Sequence, residues 1–227
     1  MRIDLIGLLI NIGSNSTSPN GRGRIFEDYT FEYLPIPECK ETTQNVATYR
    51  QLSFSHVKHP DLPVHLDPSF ETFTYGHIRR GFGDIRALLK LTENDILFFF
   101  ATLQRKEGWS TYIIGYFRCP RIHDCRRLSA KEILGFRFKG FADNAHLKRL
   151  DPSVDLLIKG GKTSRLLDKA FSLTEAEDHL ELRKSLRDTI FTLTGKGIQH
   201  GTPWFRWVLR CEDPIQLLDM ISCVQPF

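Results

Sequence analysis

The chain has 227 residues, long enough to bury a core without disulfide or metal staples. Hydrophobic residues make up 41% and charged residues 26%, which excludes a disordered chain and a membrane-embedded one. The formal net charge is +4, and Phe is abundant (17) where Met is scarce (2), so stiff aromatic surface is available for a core or a planar ligand.

Met1 to Ile12 reads as a buried first strand, its apolar run too short to span a bilayer. No secretory leader is visible, and five cysteines without a C-x-x-C pair suit free thiols in the cytoplasm. Gly13 to Gly23 is a loop rich in Gly, Ser and Asn. Thr30 to Leu34 alternates like a short strand and stops at Pro35-Ile-Pro37. Residues 39–69 carry no clear periodicity and read as a functional loop or a wrapped segment.

Asp84 to Leu91 has helical spacing. Ile96-Leu-Phe-Phe-Phe-Ala101 and Thr111 to Phe117 read as two buried strands of one hairpin. Ser129 with Glu132 forms a capping-box pattern for a short helix. Val154 to Lys159 reads as a strand. Arg165 to Phe171 reads as a helix opened by a glycine pair, and Thr174 to Leu193 as the longest helix. A strand from Trp204 to Leu209 and a helix from Pro214 to Cys223 close the chain. The expected fold is α+β, a single domain over residues 1–227, with flanking helices around a curved or barrel-like, mainly antiparallel sheet.

The charge is unevenly placed. Residues 118–169 hold 13 Lys/Arg against 6 Asp/Glu, and the rest of the chain holds 18 against 21. Clustered cations raise phosphate affinity through counterion release. Phe136, Phe138 and Phe141 interleave this stretch, as stacking platforms for bases or as inward-facing core residues.

The segment from His65 to Gly76 is the densest in chemistry. It carries His65, Asp67, Glu71, Phe70, Phe73 and Tyr75. Paired carboxylates suit hydrolysis at a sugar carbon, one stabilising the cation or positioning water and another group managing the proton. The aromatics suit a flat base drawn out of its stack. The same residues also fit a strand end after an Asx-type turn at Asp67-Pro68, with Glu71 solvated. A second segment, Phe141 to Arg149, offers Asn144 and His146 for a base edge and Lys148 and Arg149 for phosphate, or an ordinary helix cap at Asn144. Lys159 to Arg165 offers Lys162 and Arg165 as phosphate contacts at a glycine-rich turn, although the spacing is not that of a P-loop. Asn11 and Asn15 are further pocket candidates. Cys119, His123 and Cys125 lack a second ligand pair, and the His56 and His59 spacing is weak, so no metal and no cofactor is assigned.

Several short motifs in fixed order point to a family. They are Gly13-Ser-Asn15, Glu32 to Glu38, Asp67-Pro-Ser-Phe-Glu71, the Asp95 strand with Ile114-Gly-Tyr-Phe117, Asn144-Ala-His146, and Leu193-Thr with Trp204-Phe205. Together they resemble the third nucleotide modification-associated domain family across most of the chain. Asn94-Asp95 stands where the family pattern has Gly-Asp. The hairpin is also similar to that of pseudouridine-synthase-associated modified-base readers. The resemblance implies a setting of modified nucleotides in phage and phage-defence contexts, with DNA carrying modified bases as the partner and no membrane role. The resemblance implies that setting and not a reaction; read in that setting, the residues point most concretely to a DNA glycosylase. In it Asp67 acts at the sugar with Glu71 or His65 assisting, Phe70 and Tyr75 stack the base, and Asn144 and His146 read its edge. A non-catalytic reader and an enzyme for a free modified nucleotide are the alternatives.

Overall fold

The computed structural model describes residues 7–12, 18–43, 46–54, 56–78, 84–174, 183–186, 190–192 and 209–225. Its centre is the Phe-rich hairpin. β5 (Ile96–Gln104) and β6 (Trp109–Arg118) pair antiparallel, with a register shift at Phe99/Phe100. Asp95 starts β5 by accepting the Thr92 backbone N–H and hydroxyl, a turn that fixes where the strand begins. β1 (Gly7–Asn11) lies beside β5 in parallel, while β11 (Leu209–Cys211) and β10 (Ile190–Thr192) extend that side and β9 (Arg165–Ser172) adds to β6. The result is a six-stranded mixed sheet in the order β10-β11-β1-β5-β6-β9.

A second sheet has the order β4-β8-β7, from β4 (Thr74–His77), β7 (Arg121–Asp124) and β8 (Leu156–Lys159), all antiparallel. A two-stranded ribbon pairs β2 (Ile36–Pro37) with β3 (Val64–His65). Period-two alternation sorts the strand residues between layers. Leu97, Phe99, Ala101 and Leu103 meet Tyr75, Leu156 and Ile158 of the second sheet. Ile96, Phe98 and Phe100 face the other way, against Leu217, Leu218 and Ile221 of the helix Pro214–Ser222. Leu157, between Leu156 and Ile158, turns outward to Ile133, Phe136, Phe141 and Leu147. Strands buried on both faces explain why the sequence shows runs of apolar residues rather than alternation.

Several expectations hold. The helices Asp84–Leu88 (α1), Ala130–Leu134 (α2) and Pro214–Ser222 (α3) form, and Ser129 and Glu132 make the capping box. Other expectations are corrected. Among the described residues the large sheet is open, with β10 and β9 at its edges, so the barrel-like closure does not form. Parallel insertion of β1 between β11 and β5 also makes it mixed. Arg165–Ser172 is a strand, not a helix, because it completes the hydrogen bonding of β6. Thr30 to Leu34 contributes only a single bridge, Phe31 to Ile25. Of the expected helix 174–193, residues 184–186 form a 3-10 turn and 190–192 form β10, while 175–182, 187–189 and 193 lie outside the described residues. The expected strand 204–209 is described only at Leu209. No helix of the described residues is long and apolar enough to cross a membrane.

Burial separates the five cysteines. Cys39, Cys119 and Cys223 are exposed, whereas burial pushes the thiols of Cys125 to about 11 and Cys211 to about 12. A thiol-exchange reagent at pH 8 is therefore expected to titrate three thiols in the folded protein and five after unfolding. Rapid reaction of all five in the folded state would contradict this packing.

Candidate functional site

His65, Asp67, Asn144 and His146, scattered over 82 positions of sequence, meet beside β3 and β4. β3 supplies His65, and the chain then turns through a cis Asp67–Pro68 peptide. The 3-10 turn Ala145–Lys148 supplies His146, with Asn144 as its cap. Asn144 is fully buried, and its amide is engaged at both ends: its oxygen accepts from the His146 N–H at 3.1 Å and its Nδ2 donates to Asp67 Oδ1 at 3.1 Å. It is therefore a positioning residue for Asp67 rather than a group presented to a base edge.

Asp67 Oδ1 also accepts the Gly76 N–H of β4 at 2.8 Å. This saturates one carboxylate oxygen and leaves Oδ2 facing His146 Nε2 at 3.4 Å. The two imidazole rings meet edge to face with centroids 4.7 Å apart. One ligand-capable atom from each of His65, Asp67 and His146 falls within 4.8 Å of the other two. The His146 and Asp67 side chains are only 5% and 4% exposed, so the centre is dry and its electrostatic interactions are strong.

An outer layer fixes the two imidazoles. His65 Nδ1 donates to Glu38 Oε2 at 2.6 Å. Arg149 clamps the same carboxylate with a fork, Nε to Oε2 and Nη2 to Oε1, both 3.1 Å. The Lys40 N–H adds a further donor at 2.9 Å. Burial pushes the Glu38 carboxyl up, but the bonds from His65 and Arg149 outweigh it and hold the group at about 2. His146 Nδ1 lies 3.1 Å from the Ser153 carbonyl and 3.0 Å from Arg149 Nη1. It donates to the first when protonated and accepts from the second when not. The Tyr33 hydroxyl is buried without a hydrogen-bond partner. Burial pushes this phenol well above its ordinary range, and the charge of Asp67 adds to the effect.

The remaining sequence candidates fall elsewhere. Glu71 is exposed. Phe70 packs on Phe99, Phe117 and Tyr33, and on Gly115, where a Cβ would collide with its ring. Tyr75 is buried against Phe99, with its hydroxyl on His77 Nδ1. Both rings are thus core material and not a stacking cage. Arg149 is spent on Glu38, and Lys148 lies 3.7 Å from Asp143. Lys162 is exposed, and Arg165 lies against Tyr116. Asn11 ends β1, and Asn15 lies outside the described residues. Phe136 and Phe141 are buried, whereas Phe138 is 94% exposed between Arg137 and Lys139. Cys125 Sγ bonds the His123 carbonyl and the His123 ring packs on Phe136 and Phe141, so that trio does not converge.

Sequence reasoning missed Glu38 and Gly76. Glu38 sits 27 residues from His65, and only the β2–β3 pairing, Ile36 opposite His65, brings them together. A separate cleft of about 1030 Å³ opens between residues 24–29 and 104–108, lined by Arg24, Phe26, Tyr29, Arg105 and Lys106.

Comparison with known families decides the relationship. The model of nucleotide modification associated domain 3 matches residues 7–217. The chain belongs to that family. The family match runs from β1 into the first turn of α3, so it includes every residue of the buried centre. No curated protein and no solved structure matches the chain. For this nucleotide modification associated domain the setting is modified nucleotides, and the match carries nothing about pseudouridine-synthase-associated readers.

Proposed function

We propose that the protein is a hydrolase for a modified nucleobase in DNA, cleaving the N-glycosidic bond at the buried His65–Asp67–His146 centre. The observation that carries this reading is the asymmetry of Asp67. One oxygen is held by Gly76 and Asn144, and the other is turned toward an imidazole in a dry site. A carboxylate fixed in this way stabilises positive charge on a sugar ring without reorganising. In the reaction the bond from C1′ to the base nitrogen breaks and a water oxygen bonds to C1′. One water proton passes to the His146–Asp67 pair, and the departing base nitrogen takes up one proton, so the products are an abasic sugar and the free base. In keeping with this, the protein acts as one domain in the cytoplasm, against phage DNA bearing modified bases.

A second reading, a modified-base reader without chemistry, draws on the cleft at residues 24–29 and 104–108. Its exposed Phe26 and Tyr29 beside Arg24, Arg105 and Lys106 suit stacking with phosphate contacts.

The test is incubation with duplex DNA carrying bulky modified cytosines, followed by alkali to cut abasic sites. Alkali-labile sites are expected with the native protein, falling by about 10²-fold or more in Asp67→Asn, the scale of losing a transition-state electrostatic contact. Tight, salt-dependent binding with no labile sites on any modified duplex would favour the reader. Binding of free nucleotides alone would exclude both DNA readings.

A further inference from the structure

We infer that His65, Asp67 and His146 are the three protein ligands of a divalent transition-metal ion. This deepens the proposed function: with the ion held by His146 Nε2 and Asp67 Oδ2, the ion rather than the free His146–Asp67 pair activates the water and Asp67 acts through it, and the inference rests on that reading only for the use made of the ion.

His146 Nε2 and Asp67 Oδ2 lie 3.4 Å apart, longer than the roughly 2.7–3.2 Å of a good hydrogen bond between such groups. Two ligands each about 2.1 Å from an ion at a tetrahedral angle stand about 3.4 Å apart. His65 completes the set within 4.8 Å, and among the described residues no other group of His, Cys, Asp or Glu converges in this way.

A metal-bound imidazole gives its remaining N–H to a carboxylate or a carbonyl, which fixes the tautomer and aims the other nitrogen. His65 gives Nδ1 to Glu38, and His146 has Nδ1 at the Ser153 carbonyl. The His65 bond leaves its Nε2 free to face an ion, and His146 Nε2 is free in the same way in the tautomer whose Nδ1–H is given to Ser153 rather than the one that accepts from Arg149 Nη1. Arg149 holds Glu38 in place from behind.

Glu38 and Arg149 cancel each other as a buried pair. Asp67 then remains as a carboxylate, 4% exposed, whose hydrogen bonds come from neutral donors, a backbone N–H and an amide. A buried charge needs a compensating partner. A divalent cation held between the two imidazoles and Asp67 supplies one. Imidazole and carboxylate donors suit zinc or ferrous iron, and a three-ligand set keeps a coordination position open for water. An ion there would lower the pKa of a water at that position and so supply hydroxide for the proposed hydrolysis.

The experiment uses the full chain, stripped with chelator, desalted and titrated with Zn²⁺ and separately with Co²⁺. Metal content is read by mass spectrometry and coordination by the visible bands of Co²⁺. One equivalent per chain is expected for the native protein and for His59→Gln, whose histidine is exposed and outside the cluster. His65→Gln, Asp67→Asn and His146→Gln should each bind at least tenfold more weakly, and Glu38→Gln should weaken binding by about 10–100-fold through the outer layer. Because a ligand variant could fail to fold, the native protein also serves alone: Zn²⁺ at saturating concentration should raise its melting temperature. No bound equivalent, or equal binding in native protein and all three ligand variants, would overturn the inference. A loaded protein that leaves modified DNA intact retires the hydrolase and keeps the ion. Abasic sites formed by chelator-stripped protein with no bound ion keep the hydrolase and remove the ion from its chemistry.

Discussion

Arg149→Met is expected to destabilise the protein by about 3–5 kcal/mol at pH 7, the range for removing one partner of a buried ion pair. Glu38 is 1% exposed and Arg149 12%, so water cannot take over the lost guanidinium. The carboxylate would keep only His65 and the Lys40 N–H. Titration gives this prediction a sign. Glu38 is held at about 2 in the folded protein, below its unfolded value of about 4.3. A depressed folded value means that the stabilisation is complete above the unfolded value and is lost as pH falls toward about 2. The gap between native protein and Arg149→Met should therefore be widest at neutral pH and narrow steadily below about pH 4. Urea unfolding at pH 7, 4 and 3 measures it. A gap that stays constant or widens on acidification would contradict the pairing, and equal midpoints at pH 7 would remove it.

Gly76→Ala is the second large effect. The N–H of Gly76 holds Asp67, while its missing side chain makes room for His146, and a Cβ there would run into the ring at Cδ2. The neighbour is a ring wedged between Asp67, Ser153 and His65, not the end of a flexible chain. Overpacking of this kind costs about 1–3 kcal/mol. Displacing a reacting group by about 1 Å costs about 10²-fold in rate, so activity should fall much further than stability. A double variant, Gly76→Ala with His146→Ala, separates the two effects. It should recover much of the stability, because the collision is gone, and none of the activity. If Gly76→Ala alone melts and acts like the native protein, the packing of His146 on β4 is wrong.

The parts of the fold that local signals specify were legible. Ile96 to Ala101 is a two-faced buried strand because its apolar run is continuous, and Pro214 after Asp213 marks the start of α3. Arg165 to Ser172 misled because Leu166, Leu167, Ala170 and Phe171 have helical spacing. The pairing with β6 decides its state, and Ser164 Oγ, accepting the Arg118 N–H, helps set the turn before it. No local signal announces the parallel pairing of β1 with β5, whose partners are about ninety residues apart. At the site, residue type together with the family resemblance singled out His65, Asp67, Asn144 and His146. Their division of labour was not legible. Asn144 looked like a base reader and serves Asp67, and Arg149 looked like a phosphate contact and serves Glu38. Long-range pairing assigns those roles, as it brings in Glu38 through β2 and β3. The aromatic neighbours of Asp67 look the same in sequence whether they face a ligand or a core, and here Phe70 and Tyr75 face the core.

The central claim is that Asp67 works on a glycosidic bond, and the most direct test is to look for the released base. Modified duplex DNA would be incubated with native protein and with Asp67→Asn, and the small-molecule fraction analysed by liquid chromatography and mass spectrometry. The account predicts free modified base in proportion to native enzyme and time, matched by abasic sites in the DNA, with Asp67→Asn at background. Modified DNA that stays intact with native protein across cytosine and thymine modifications, or base release unchanged in Asp67→Asn, would contradict it.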